Sequence, residues 1–497
     1  MRDKFSEAGT GPGAAMSGDR VALRDELLAL IDGWGLDLPS DLDDHSPLIA
    51  SGLLDSLALF NLILWIETKI GHSIDPTTVD VAREWASIAD ILQYIHRING
   101  ASGHIDVLRP STAARPVPES EYRIVRYDPS YKRAVAQFQT GLWSPDPELN
   151  LRYLEWKYET NPYVDVPYIY LAFHDDEIIG MRGFYASRWE AGVPARQWNV
   201  LVADDLLIRE DHRNRGWVTR IMNAAYTDLR DSKSPFLFNL SGGQLTVLGS
   251  LAMGWRSTGP LKPMGRRSRG NTPWRALRIV LKRLPYLRRY GESRLPYGAA
   301  ERGPFERLDR AHTPFTKKGG PAVEIDTRPR SKAMAALIER IGHDGRVRHV
   351  RDKSYFDWRF RNPHWEYRFL YVGRDSLEGY LVLKGGIARP GPSPRVSIVD
   401  LEAIGGEVQA ALLEAAVRAG AFAELVIWTA TANDQLLQQL YALRFEPIDQ
   451  GVTASGLPCF LVRPIADERL DEEWRLGDTR LLDLKNWDIR MLFSMAG

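Results

Sequence analysis

At 497 residues and 56.2 kDa the chain is too long for one ordinary core, and its length predicts about two to four domains. Lys+Arg and Asp+Glu both total 64, so no global charge argues for nucleic-acid binding, and 44% hydrophobic with 26% charged residues is a soluble globular composition. The single cysteine, Cys459, excludes an internal disulfide framework and fits a reducing compartment; no apolar run is long enough to span a bilayer and no apolar signal core opens the chain, so a cytoplasmic protein is expected.

In chain order, Gly9 to Ala15 read as a flexible leader, with Met16 as an internal start. Asp19 to Trp34 predicts a helix capped by Asp19 or Ser17, with Leu23, Leu27, Leu28 and Ile31 on its apolar face. The next element is announced by Gly52-Leu53-Leu54-Asp55-Ser56-Leu57. Ser56 stands just before apolar residues at helical spacing: Leu57, Phe60 and Leu64, thickened by Leu62, Ile63 and Ile66. A serine there either caps the helix or stands exposed where backbone dipoles favour an anionic group such as a phosphate. Asp55 beside it suits a metal ion during phosphoryl transfer.

These residues resemble the attachment site of an acyl carrier protein, in which an acidic residue, a serine and a leucine open the second helix of a small bundle. The resemblance spans Val21 to Ile98. It includes the loop bearing Asp43, His45, Ser46, Pro47 and Leu48, then Glu67, Ile74 and the Glu84 to Ile91 segment. It implies an all-α four-helix carrier domain over 17–98, with a 4'-phosphopantetheine arm on Ser56. It also implies two kinds of partner: a phosphopantetheinyl transferase and an acyl- or aminoacyl-loading enzyme. Residues 99–121, with Pro110, Pro116 and Pro118, read as a flexible linker.

From Tyr122 the pattern changes. Strands are predicted at 122–125, 168–173, 178–185, 198–208 and 236–240, with helices at 131–139, 221–229 and 245–253. Tyr153-Leu154-Glu155-Trp156-Lys157-Tyr158 with Asn161-Pro162 is echoed by Tyr355-Phe356-Asp357-Trp358-Arg359-Phe360 with Asn362-Pro363. Each copy is followed by two strand-like segments, in the second copy 369–372 and 379–383. A strand at 396–401, a helix at 408–418, a strand at 425–429 and a helix at 436–443 complete that copy. Two copies at this scale argue two related α/β domains rather than a solenoid.

Asp205-Leu206-Leu207-Ile208, then Arg213-Asn214-Arg215-Gly216-Trp217-Val218 and a helix, resemble the donor loop of the GNAT acetyltransferase superfamily, which takes acyl groups from coenzyme A. The chemistry is that of a strand-to-helix turn whose N–H groups face a pyrophosphate, with Gly216 allowing close approach and Arg213 and Arg215 adding charge. Val218 departs from the family's small residue. The resemblance implies two GNAT-like acyl-CoA N-acyltransferase domains, over 122–260 and 321–497, with Ile208, Arg213, Arg215, Gly216, Trp217 and Val218 at an acyl-CoA donor. The second copy's loop, Ala403 to Val408, has no arginine and carries Glu407, so that half is expected to be degenerate.

Candidate catalytic groups are Asp204 or Asp205 as base, Tyr226 to return a proton to the thiolate, and Asn239 to orient acceptor or pantetheine. Alternation along a strand predicts that only one of the two aspartates faces the cleft. His212 is expected to be exposed beside the phosphates, and Cys459 to be a buried strand residue. No metal-ligand or Ser-His-Asp set assembles, so no metal is assigned.

Between the copies, 261–320 reads as a basic connector. Lys262 to Arg294 holds eleven basic residues against one acid, Glu292, interleaved with Trp274, Leu277 and Tyr286. It suits a carrier or anionic substrate, a peripheral membrane surface, or a solvated connection; nucleic acid is not expected, since no recognition module accompanies it. The expected activity is transfer of an acyl group between a phosphopantetheine or coenzyme A thioester and an amine or hydroxyl of a small-molecule or lipid-like acceptor. A malonyl-thioester decarboxylase and a non-catalytic carrier-presenting scaffold remain open beside it.

Overall fold

The computed structural model describes residues 12–34, 42–99, 122–267, 305, 320–448 and 459–495, apart from 52, 55, 73, 75, 77, 78, 214, 241–243, 375, 387–394, 419–421, 423 and 471. Asp55, the linker from 100 to 121 and the basic stretch from 268 to 304 therefore lie outside the described residues.

Four helical segments come first: α1 (Pro12–Asp32), α2 (Ser56–Ile70), the single turn α3 (Val81–Glu84) and α4 (Ile88–Ile98). The first helix starts at Pro12, inside the stretch read as a leader. Ser87 caps α4 by accepting from the Asp90 N–H, and α4 buries Ile88, Ile91, Leu92 and Ile95 along one stripe. α1, α2 and α3 each pack on α4. The four do not stand apart as a distinct bundle. α2 and α3 also pack on α8 (Gln244–Ala252) of the following α/β unit, and one apolar core runs through both.

The first α/β unit holds β1 (Tyr122–Arg126), α5 (Lys132–Phe138), α6 (Pro147–Leu154), β2 (Tyr168–His174), β3 (Glu177–Ala191), β4 (Arg196–Ile208), α7 (Trp217–Leu229), β5 (Phe236–Asn239), α8 and β6 (Arg256–Pro260). A π-helical turn, Glu155–Glu159, continues α6. The remaining elements are β7 (Pro263–Arg267), β8 (Glu324–Asp326), α9 (Ser331–Ile341), β9 (Val347–His349), α10 (Lys353–Arg359), β10 (Trp365–Val372), β11 (Gly379–Gly386), β12 (Arg395–Ala403), α11 (Gly406–Arg418), β13 (Glu424–Trp428), α12 (Asp434–Ala442), β14 (Glu446–Pro447) and β15 (Cys459–Pro464), then the short β16 (Arg475–Leu476), β17 (Thr479–Arg480) and β18 (Trp487–Asp488). Among the described residues no helix is long and apolar enough to cross a membrane.

The elements form two mixed sheets, ordered β1-β2-β3-β4-β5-β15-β6 and β14-β7-β13-β12-β11-β10-β8. This order exchanges two strands between the sheets of the expected domains. β15, expected in the second domain, pairs with β5 and β6 in the first sheet. β7, expected in the connector, pairs with β13 and β14 in the second. Lys262 to Arg267 thus borders and forms a strand rather than a loose basic segment. β18 pairs with β9, which pairs with β3, tying the C-terminal region further to the first sheet.

The repeat is visible as pseudo-symmetry. Trp156 and Trp358 stack with ring centres 4.9 Å apart and planes at 12°. Asn161 and Asn362 play one role in both copies: each side-chain oxygen accepts from the backbone N–H two residues on, at 2.9 and 3.0 Å, closing the turn at its proline.

Candidate active site

β4 and β5 run parallel, but pair only at Leu201–Leu237 and Val202–Phe238. Beyond that point β4 continues to Ile208 while β5 ends at Asn239, so the strands part. A bulge in β4 starts the divergence. Met181 faces Leu207 and Gly183 faces Asp204, which leaves Asp205 and Leu206 opposite Arg182 alone. Asp205 takes a φ of 53°, a conformation that aspartate tolerates better than most residues.

The bulge changes the reading of the two aspartates. Strict alternation would send them to opposite faces, but the extra residue lets both reach Lys157. Its Nζ donates to Asp204 Oδ2 at 2.8 Å and to Asp205 Oδ1 at 2.9 Å. Tyr158 donates its hydroxyl to Asp205 Oδ2 at 2.7 Å, and Trp143 Nε1 donates to Asp205 Oδ1 at 2.8 Å. Tyr158 reaches the site because Gly183 stands above it; a Cβ there would overlap the Tyr158 hydroxyl. The rings of Trp143, Tyr153, Tyr158 and Tyr185 surround the ammonium at 5.1–5.5 Å. Both carboxylates and Lys157 are buried. Burial pushes the Asp204 carboxyl above the usual range, against the pull of Lys157. Buried Arg182 sits within the field of both aspartates, which favours its charged form while desolvation opposes it.

Sequence reading named the aspartates but missed Lys157, Tyr158, Trp143 and Arg182. A signal was present: a lysine inside an aromatic run that recurs with Arg359 in its place. In the second copy Arg359 instead donates to the Leu492 and Ser494 carbonyls and to the Tyr367 hydroxyl. Asp400, in the β12 bulge, is held by Arg351, Arg490 and Tyr380.

The loop after β4 is built as a helix N-terminus. Gly216 caps α7 in the left-handed conformation, φ 69°. Arg213 Nε donates to the Ile208 carbonyl at 3.3 Å, folding the loop onto the strand end, and both Arg213 and Arg215 are exposed. Ile208 and Trp217 are buried and Val218 half-buried. Trp217 Nε1 has no hydrogen-bond partner among the described residues. His212 is buried rather than exposed. Its ring lies 5.2 Å from His174, Arg209 Nη2 donates to its Nε2 at 2.8 Å, and burial lowers its pKa.

Tyr226 is a buried α7 residue. Its hydroxyl accepts from Trp255 Nε1 at 2.9 Å, and the Arg463 guanidinium lies 3.8 Å from its ring centre. Burial raises its pKa. It shares the surroundings of Arg182 but makes no hydrogen bond to either aspartate among those described. Asn239 closes β5, buried, opposite Leu461 of β15. Cys459 is buried at the start of β15.

The second copy's loop is closed. A Cβ on Gly406 would overlap the Gln435 side chain, and Gln439 Nε2 donates to the Gly406 carbonyl at 2.8 Å. Two glutamines from α12 therefore occupy the approach that an anion would need, beside Glu407.

Residues 133–238 match the profile of the Acetyltransferase (GNAT) family. No curated protein matches the chain. Among solved structures, the chain is similar to a tandem GNAT protein from the clavulanic acid biosynthesis pathway, at 12% identity, with 70% of this chain and 99% of that one covered and a TM-score of 0.43. It is also similar to a GCN5-related N-acetyltransferase from Anabaena variabilis (9% identity, 69% and 73% covered, TM-score 0.42). A conserved protein from Enterococcus faecalis, a probable N-acyltransferase, stands alike (11% identity, 70% and 73% covered, TM-score 0.42). The residues that match the family profile run from α5 to β5 and lie in the first mixed unit.

Proposed function

We propose that this chain is a GNAT-type acyltransferase whose first unit binds an acyl thioester where β4 and β5 part. The observation that carries this reading is the bulged, diverging β4 joined to an arginine-bearing turn at the N-terminus of α7. The turn offers backbone N–H groups, Arg213 and Arg215 to the anionic part of a coenzyme A or phosphopantetheine thioester. The bulge region offers the carbonyl a polar, water-poor surface. Transfer forms a bond from the acceptor's nitrogen or oxygen to the acyl carbon and breaks the carbon–sulfur bond. Asp204 receives the acceptor's proton, since burial has brought its carboxyl nearer to that task, and Lys157 holds its charged form. Tyr226 and Asn239 position the surrounding strands and helix. The second unit, its loop filled by Gln435 and Gln439, is scaffold and acceptor wall.

The N-terminal helices are the carrier in this reading, with a phosphopantetheine arm on Ser56 at the first position of α2. Packing of α2 and α3 on α8, the helix that follows β5, supports delivery of that arm to the same unit. The partners are a phosphopantetheinyl transferase, a loading enzyme and a small-molecule or lipid-like acceptor. Contact of 262–294 with a membrane surface belongs to the same proposal. Intact-protein mass of the chain and of Ser56→Ala after incubation with a phosphopantetheinyl transferase and coenzyme A tests the carrier. One added arm on wild type alone is expected; an unchanged wild-type mass, with a control carrier modified, refutes it.

One observation favours a second reading, decarboxylation of a malonyl thioester. Lys157 engages both aspartates, and loss of carbon dioxide needs no base to deprotonate an acceptor. Carbon dioxide released from a malonyl-loaded chain, with no product from any amine, would replace the transferase reading.

A further inference from the structure

Lys384 lies in β11 on the face it shares with Tyr367, its partner across β10. Its side chain is 3% exposed, and its ammonium lies 4.1 Å from the centre of the Trp365 ring. Among the described residues Nζ has no hydrogen-bond partner, nor has Trp365 Nε1. Burial, and after it the buried Arg359 guanidinium, holds the Lys384 amine well below its usual range, toward its neutral form; the hydrogen bonds of Arg359 itself go to two backbone carbonyls and a tyrosine hydroxyl. The segment 387–394 that follows β11 contains no acidic residue.

Buried polar groups are nearly always paired, and a buried cation without a counter-charge is costly. The first copy shows the contrast. Tyr185 and Lys384 each stand five residues beyond a glycine, Gly180 or Gly379, whose Cβ would collide with the helix behind the sheet. Tyr185 is satisfied by donating to the Phe493 carbonyl at 2.9 Å. Lys384 has no such acceptor among the described residues. Among the described residues neither Lys384 Nζ nor the neighbouring Trp365 Nε1 has an acceptor, and an entering anion is the partner that would let the buried amine take up its proton.

We infer that Lys384, flanked by Trp365 and backed by Arg359, is the anchor of a carboxylate-binding site in the second unit. Trp365 and His364 are partly exposed, and so place the site within reach of solvent. His364 also meets Tyr153 of the first unit, ring centres 4.5 Å apart, beside Lys157. The site therefore borders the seam on which the aspartate cluster lies. The ligand class is a small carboxylate. That its owner is the acyl acceptor rests on the transferase reading; that a carboxylate binds does not.

The test is titration calorimetry and thermal melting of the full chain with acetate and β-alanine, against acetamide and β-alaninamide, at constant chloride. The carboxylates should bind and raise the melting temperature, while the amides should not. Lys384→Met should weaken carboxylate binding by about tenfold or more, the loss of a charge-assisted contact. It should melt no lower than wild type, because it replaces a buried amine that has no acceptor among the described residues with an apolar side chain of similar volume. Carboxylate binding that survives Lys384→Met overturns the site, as does equal stabilisation by chloride or by the amides. If β-alanine binds but is not acylated, the site stands and the transferase reading of its ligand falls.

Discussion

Trp156 and Trp358 exchange hydrogen bonds: each indole N–H donates to the other residue's backbone carbonyl, at 2.7 and 2.8 Å. Equivalent residues of an internal repeat meeting reciprocally is the signature of a two-fold, isologous contact, here within one chain. The tandem units are therefore locked face to face at their repeated helical segments. The aspartate cluster of the first unit hangs from the residue next to one of these tryptophans, Lys157.

Truncating either tryptophan should destabilise the chain by about 3–5 kcal/mol, the range for a buried aromatic replaced by alanine. The double variant should cost less than the sum, because each single change already removes the whole ring stack, while the other indole's bond to the backbone carbonyl survives it. Urea unfolding of Trp156→Ala, Trp358→Ala and the pair checks this. Strict additivity would mean that the stack does not couple the units.

The donor loops should differ as their structures do. Arg215→Glu should weaken coenzyme A binding by ~1–3 kcal/mol, the loss of one charge-assisted contact together with added repulsion. Glu407→Gln should change nothing measurable, since Gln435 still fills the space over Gly406. Calorimetry with coenzyme A reports both. Wild-type affinity in Arg215→Glu would show that the loop has only a structural role.

Much of this arrangement is legible in the chain itself. The repeated Tyr-x-acid-Trp-base-aromatic run announces two units because its residues keep their spacing, and Arg213 to Gly216 announce a strand-to-helix turn because arginine and glycine have few other reasons to sit there. The bulge at Asp205 is not legible. It is a relation between β3 and β4, and alternation along one strand gives the opposite answer. The roles of Lys157 and Tyr158 depend on that relation. Strand exchange is hidden for the same reason: Cys459 reads as a strand residue and Pro263–Arg267 as part of a basic connector, and nothing in either segment states which sheet it joins. Packing of α2 on α8 is likewise a contact between distant segments, and the proline-rich stretch between them reads only as a spacer.

His349 should give the chain an acid-sensitive stability. It is buried against Tyr355 and Phe493, with ring centres at 4.2 and 5.2 Å, and burial with nearby Arg351, Arg359 and Arg188 pushes its pKa down to about 3. The folded state keeps the ring neutral while the unfolded chain takes up a proton near pH 6.5. Stability from this group is thus complete above about pH 6.5 and is lost as pH falls toward 3, by about 2 kcal/mol at pH 5. His349→Phe keeps the ring packing and cannot titrate, so its stability should fall less between pH 7 and pH 5 by that amount. An unchanged pH dependence in chemical denaturation would show that His349 is accessible to protons in the fold.

The exchanged strands should make the two units inseparable. β15 sits between β5 and β6, and Cys459, Phe460, Leu461 and Val462 are all buried there. Buried aliphatic and aromatic side chains contribute roughly 1.5–3 kcal/mol each. Losing these approaches the whole stability of a typical domain, about 5–15 kcal/mol. It also exposes the unpaired edges of β5 and β6, where another chain would add. A piece ending at residue 304 keeps β7 but lacks β15; a piece beginning at 305 keeps β15 but lacks β7. Each alone should be insoluble or molten, and the two co-expressed should copurify as a one-to-one complex, each supplying the other's missing strand. Phe460→Asp in the second piece should abolish copurification, because it puts a charge among Trp189, Phe238 and Trp487. A first piece that purifies alone as a monomer with a cooperative thermal transition would show that sheet one closes without β15. The exchange would then be an accessory contact rather than the joint that holds the units together.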